Sequence, residues 1–313
     1  MTLLVTLRRA ADDGCFDRGK MSRPSNAQAR KRLQVMEDNK CGEGGQMSTA
    51  TDVAGHRIPA IENDRMRQAA EILLRARRER MPIADLPVKL QPHTLDEAYA
   101  LQDIMAEALG PMGGWKVGAP SPDAMPLFSA MPFWGGYGSS GVHVVDKYRR
   151  LHGVEAEIAF LLGSDLPMRK EPYSHHEVRA AIASAHPAIE LLESAFFDPE
   201  KADRMSVIGD LQCNGGFVHG AALSDWESVD LAKESVSVLI DGAVRFTGTA
   251  SNSAGTDLLR LVTFLANEGS YRTAGLRAGD WITTGSWSGK TLASRGSQVE
   301  IEFSSFGVVT LSF

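Results

Sequence analysis

The sequence is short of cysteine, of long apolar runs and of surplus positive charge, and each shortage removes a class of protein. Three cysteines, Cys15, Cys41 and Cys213, are too few and too scattered for a disulfide framework or a cysteine-built zinc site. That usage fits a reducing cytosol, so a cytoplasmic protein is expected. No apolar run approaches the roughly 20 residues that span a bilayer, so no membrane is expected as a partner. Lys and Arg number 33 against 39 Asp and Glu, a formal charge of -6, which gives no general attraction for nucleic acid. An anionic substrate must therefore be held by local groups.

What remains is ordinary globular composition, 43% hydrophobic and 23% charged over 313 residues, enough for one large domain or two modest ones. Residues 1–46 differ from the rest: dense in charge, Gly, Ser and Asn, without periodic hydrophobicity, they read as a disordered tail, and Met47 is a candidate start of the functional chain. The opening "MTLLVTLRR" lacks the length and cleavage pattern of an export signal. From Glu62, Met66, Ala69, Ala70, Leu73 and Leu74 fall on one helical face, with Arg and Glu on the other. A second helix starts at the capping box of Thr94 and Glu97 and stops at Gly110-Pro111. Residues 47–112 thus form a small helical region. Residues 113–313 change texture to short β-like runs, including the hairpin "SVSVLIDGAVRF" with Asp241-Gly242 as its two-residue turn. Two helices interrupt them: "SHHEVRAAIASAH", capped by Ser174 and Glu177 with Pro187 beyond its end, and "TDLLRLVTFLANEG", ending at Gly269.

The run "HGVEAEIAFLLG" reads as a buried strand, yet carries Glu155 and Glu157. Period-two alternation puts both on one face, with Val154, Ala156, Ile158 and Phe160 on the other. A bare Glu-x-Glu is more often the wet face of a half-exposed strand. The balance shifts with Glu190 in "HPAIELLES", among apolar neighbours that argue for burial. One buried carboxylate is costly, whereas three converging on a divalent ion are compensated. All-oxygen ligation favours Mg²⁺ or Mn²⁺ over zinc. Glu193 falls on the opposite face of that strand.

In order along the chain, "GWKVG", "VEAEIAFLLG", "HPAIELLES", "CNGGFVHG", "LRAGDWITTGSWSG" and "FGVVTLSF" resemble the 2-keto-4-pentenoate hydratase and 4-oxalocrotonate decarboxylase group of the fumarylacetoacetate hydrolase superfamily. The resemblance runs from about the first helix to the C-terminus. It implies an α+β fold, a small N-terminal helical region plus a curved, mostly antiparallel β-sheet domain, and a homo-oligomer. It makes Glu155, Glu157 and Glu190 the metal ligands, and Lys116 an active-site lysine that binds and polarises substrate. Taken alone, Lys116 reads as a snorkelling surface lysine. Asp123 falls where the group has a proton-transfer acid, although only Val117 to Pro122 separate it from Lys116, and a turn aspartate is the competing reading. Thr284 and Ser286 match the substrate-binding position beside the metal; unaided, they are turn residues. Asn214 is a ligand-orienting side chain or the left-handed residue of an Asn-Gly turn, the turn being preferred. Trp115, Trp281 and Trp287 are pocket walls or core.

The implied reaction is metal-dependent addition of water to a 2-hydroxy-2,4-dienoate, giving a 4-hydroxy-2-oxo acid, in aromatic catabolism. Decarboxylation of a 2-oxo diacid uses the same groups. Acylpyruvate hydrolysis in the superfamily pairs a His and a Glu on a lid, and no convincing His-x-x-Glu lies between the first helices and Glu155. A non-catalytic, complex-forming subunit is the alternative of a different class, against which the intact glutamates and Lys116 speak.

Overall fold

The computed structural model describes residues 60–133, 136–145, 147 and 149–313. The 1–46 tail and Met47 lie outside the described residues. Helix α1 (Ala60–Glu79) buries Met66, Ala69, Ala70, Leu73 and Leu74 against Leu101, Met105 and Leu109 of α2 (Leu95–Leu109), and against Phe196 and Leu211 further along the chain. Each such leucine contributes about 1.5–3 kcal/mol by leaving water. At the start of α2 the Thr94 hydroxyl accepts from the Glu97 amide, as the sequence suggests. The Glu97 carboxylate, however, takes the His93 N–H and pairs with Arg65, so only half of the box is formed.

Two sheets follow. The larger runs β2 (Leu127–Pro132), β1 (Met112–Gly118), β10 (Trp281–Ser286), β5 (Gly153–Leu162), β6 (Ile182–Leu192), β7 (Asn214–His219), β3 (Tyr137–Ser139), with β11 (Thr291–Leu292) on one end of β5. The smaller runs β4 (Val142–His143), β13 (Gly307–Ser312), β12 (Gln298–Phe303), β8 (Ser235–Ile240), β9 (Ala243–Thr249). Among the named strands, β1 with β10, β3 with β7 and β4 with β13 pair parallel and the other pairs are antiparallel. The fold is therefore α+β and mostly antiparallel. Between β8 and β9, Asp241 and Gly242 both take positive φ, 53° and 75°, as a tight hairpin turn requires. Among the described residues no helix is long and apolar enough to cross a membrane.

Alternation on β5 decides where the core and the polar cluster go. Val154, Ala156, Ile158 and Phe160 join a core with Val236 and Val238 of β8, Val299 and Ile301 of β12, and Leu258, Leu261, Val262 and Leu265 of α4 (Leu258–Asn267). Ala159, on the other face, meets Met131, Ala188 and Phe217. That second face also carries the glutamates.

One helix is shorter than its sequence suggests. Helix α3 (His175–Ala181) has the complete Ser174–Glu177 capping box, but the chain turns extended at Ile182 and continues as β6, so Pro187 lies inside a strand. Pairing with β5 along almost the whole of β6 outweighs the local helical pattern. Pro187 is tolerated because its carbonyl accepts from Gly220 on the β7 side, where the pairing with β7 gives out. Its missing N–H falls there too.

Candidate metal centre

Antiparallel pairing sets Glu155 of β5 directly opposite Glu190 of β6, with Glu157 two residues on and opposite Ala188. One carboxylate oxygen from each of Glu155, Glu157 and Glu190 lies within 4.8 Å of the others. Glu157 and Glu190 are buried and Glu155 is half-buried. Lys116 enters from β1, its Nζ 2.6 Å from Glu190 Oε1 and 3.1 Å from the Gln212 carbonyl, to both of which it donates. Asn214 Nδ2 donates to the same Glu190 oxygen at 3.0 Å. Glu190 Oε2 is buried without a hydrogen-bond partner.

Three carboxylates against one ammonium leave two negative charges in a mostly dry place. Burial, then the charge of Glu190, pushes the Glu155 carboxyl up to about 7, and the same causes raise Glu157 well above the ordinary range. Burial pulls Lys116 down, but Glu190, Glu155 and Glu157 outweigh it and raise its pKa, so it stays an ammonium. The surplus of two charges, the oxygen-only donors and the orphaned Oε2 all fit one hard divalent ion held by Glu155, Glu157 and Glu190. Without an ion, protons are what remain to balance the cluster.

β10 supplies a detail that period-two reasoning from the sequence misses. Thr283 stands opposite Ala159 and Ser286 opposite Glu157, so β10 carries one extra residue between them, a β-bulge. Gly285 absorbs it at φ 87°, and its freed N–H donates to Glu157 Oε2 at 3.1 Å. It is Thr283 whose hydroxyl donates to Glu157, while Thr284 turns away and gives its hydroxyl to the Ile158 carbonyl at 2.6 Å. Ser286, opposite Glu157 and on its face, keeps a buried hydroxyl without a partner. Lys116, Glu155, Glu157, Glu190 and Ser286 are thus gathered, and Thr284 is not. Asp123 is exposed on the turn between β1 and β2, and none of the hydrogen bonds within the cluster involves it.

Asn214 is not a left-handed turn residue: it opens β7 at φ -62° with its side chain on Glu190. The left-handed residues precede it. Leu211, Gln212 and Cys213 have φ of 56°, 48° and 64°, a conformation that costs about 1–2 kcal/mol per non-glycine residue. That turn aims the Gln212 carbonyl at Lys116, and Gln212 Nε2 donates to the Phe128 carbonyl at 2.6 Å. Gln212 lies one residue before the CNGGFVHG motif and carries no signal of its own, and Thr283, inside the LRAGDWITTGSWSG motif, is not distinguished there from Thr284. Of the tryptophans, Trp287 is fully buried core, Trp115 packs between the helical and main cores, and Trp281 stacks on His219. Glu193 is occupied with the amides of Arg150, Leu151 and Ser194.

Residues 119–312 match the family described as fumarylacetoacetate (FAA) hydrolase C-terminal, and the chain belongs to that family. A 2-keto-4-pentenoate hydratase of Paraburkholderia xenovorans (strain LB400) is 28% identical over 261 residues, 79% of this chain and 94% of the relative. A 4-oxalocrotonate decarboxylase of Pseudomonas putida is 28% identical over 172 residues, 54% of this chain and 63% of the relative. Among solved structures, the 4-oxalocrotonate decarboxylase from Pseudomonas putida G7, complexed with magnesium and adipate, superposes with a TM-score of 0.69 at 24% identity. It covers 80% of this chain and 97% of its own. Over most of its length the chain therefore shares the fold of that decarboxylase.

Proposed function

We propose that the protein is a divalent-metal-dependent hydratase that adds water to a 2-hydroxy-2,4-dienoate of the 2-keto-4-pentenoate type. The observation that carries this reading is the acidic cluster with a surplus of two negative charges, backed by Lys116, in a chain whose hydratase relative it matches over 94% of that relative's length. Glu155, Glu157 and Glu190 hold the ion, Mg²⁺ or Mn²⁺. When bound, the ion would supply Lewis acidity that stabilises negative charge developing on the substrate.

The chain's own residues do the rest. Lys116 Nζ, kept protonated by the three carboxylates, is a hydrogen-bond donor to the developing oxyanion and not a base. The Ser286 hydroxyl, without a protein partner, binds the substrate carboxylate. Thr283 and the Gly285 amide orient Glu157, and Thr284 keeps the bulge closed through Ile158. Asp123 is the candidate for proton transfer from the exposed turn. In the balanced reaction the dienol proton returns at C5, water oxygen bonds to C4 of the resulting 2-oxo-3-enoate, and a proton is added at C3. The product is 4-hydroxy-2-oxopentanoate.

One observation favours a second reading, decarboxylation of a 2-oxo diacid. Lys290 stands close enough to Glu155 to lower its pKa and is half-exposed in an ion pair with Glu200 at 2.7 Å. A cation there suits a second substrate carboxylate. Ultraviolet turnover of 2-hydroxypenta-2,4-dienoate, with Mg²⁺ or Mn²⁺ and after chelation, separates the two. Metal-dependent loss of the diene absorbance, abolished by Glu157→Gln and Lys116→Ala, is expected. No turnover by a folded, metal-binding wild type, with CO₂ release from 2-oxo-3-hexenedioate, gives the decarboxylase reading instead.

A further inference from the structure

A second buried ionic group lies behind the left-handed turn. Arg77, in the last turn of α1, is 2% exposed. Its Nε donates to Asp210 Oδ1 at 2.6 Å, its Nη2 to the carbonyls of Asp210 at 2.8 Å and Glu193 at 3.1 Å, and its Nη1 to the carbonyl of Asn214 at 2.9 Å. Asp210 and Asn214 are the residues on either side of the left-handed stretch Leu211–Cys213. One planar guanidinium therefore grips both ends of a strained turn. The far side of Asp210 is also taken, by the Ser194 hydroxyl and the Ala195 amide. The turn is further tied to β6, because the Glu193 amide donates to the Cys213 carbonyl at 2.9 Å.

The turn has two outputs into the acidic cluster. Its middle residue presents the carbonyl that Lys116 binds, and its exit residue, Asn214, presents the amide that binds Glu190. We infer that Arg77 is a positioning residue for the metal centre: by holding the two ends of the 211–213 turn, it fixes where Lys116 and Glu190 sit. This rests on the metal-dependent reading proposed above. Lysine in its place keeps the charge but cannot reach Asp210 and three carbonyls with a planar fork. The strained turn is then free to relax, and the donors on Lys116 and Glu190 move with it.

The test is Mn²⁺ affinity of the full chain, titrated well below its Tm, for wild type, Arg77→Lys and Ile301→Ala. Ile301, on β12 of the smaller sheet, is fully buried in the main core, a cluster that holds no residue between 210 and 214, so its truncation lowers stability without loosening the turn. Arg77→Lys is expected to weaken Mn²⁺ binding about 10- to 100-fold, the range seen when groups that orient metal ligands are removed. Ile301→Ala should keep wild-type affinity despite a comparable fall in Tm. Mn²⁺ binding by Arg77→Lys within twofold of wild type overturns the inference, as does equal weakening by Ile301→Ala. If Arg77→Lys does not fold, Asp210→Asn carries the same comparison, and unchanged affinity in that folded variant overturns it equally. A wild type that binds no Mn²⁺ sinks the metal reading itself, a result distinct from every outcome above.

Discussion

Two buried ionic groups stand back to back in this molecule, and they are balanced in opposite ways. In the Arg77–Asp210 pair one cation meets one anion, both carboxylate oxygens are engaged, and the guanidinium also caps three carbonyls. In the Glu155, Glu157, Glu190 and Lys116 cluster, anions outnumber cations and the buried Glu190 Oε2 has no donor. A group closed on itself contributes geometry. A group left with surplus charge stores a demand that an ion or protons must meet.

Removing a charge should therefore have contrary effects at the two places. The largest effect is on function: Glu157→Gln should lower metal-supported turnover of the dienoate by more than about 100-fold, since a ligand is lost and not merely its support. The same variant, measured without metal by thermal melting, should be as stable as wild type or more so, because it relieves repulsion from Glu155 and Glu190. Asp210→Ala should do the reverse, destabilising the fold by about 3–5 kcal/mol because the Arg77 charge is left buried and unpaired. If both variants lose stability alike in chelator, the contrast between the clusters is broken.

A smaller effect appears in pH. Folded Glu155 holds its proton up to about pH 7, whereas the unfolded carboxyl, at its ordinary 4.5, gives it up earlier. Between those values the folded state binds more protons, so the stability of metal-free protein should fall as pH rises from about 4.5 to about 7, by on the order of 1–3 kcal/mol. Saturating Mg²⁺, which needs the ionised carboxylates, should abolish that fall, as denaturant midpoints at several pH values would show. The smallest effect sharpens the comparison by avoiding both clusters. Gly242→Ala, at φ 75° with open space around it, should cost about 1 kcal/mol in urea and leave Mn²⁺ affinity unchanged.

The sequence made some of this legible, and the reasons are local. Caps at Thr94 and Ser174, and the Asp241-Gly242 turn, are chemistry between neighbours in the chain, and they stand where expected. Alternation put Glu155 and Glu157 on one face because a strand has that property anywhere. Non-local features stayed hidden. The end of α3 is set by β5 pairing with β6, which no residue between 182 and 187 announces. The bulge at Gly285 shifts β10 by one, so that Thr283 and not Thr284 meets the glutamates. A left-handed stretch of Leu, Gln and Cys has no compositional signature, since such residues rarely adopt it. Arg77, four residues after Leu73, continues the apolar stripe of α1, a signal that grouping the arginines on the polar face passes over; Arg75 and Arg78, off that stripe, are exposed.

The Arg77 grip also bears on where this protein can be divided. Texture changes near residue 112, and the family match begins at 119. A chain begun at residue 112 would keep all three glutamates, Lys116 and every described strand of both sheets. It would also strip the Asp210 carboxylate of its counter-ion and leave the backbone carbonyls of Glu193, Asp210 and Asn214 without their shared donor. The opening helices, through Arg77, thus frame the turn that faces the acidic cluster, although the family match begins only after them.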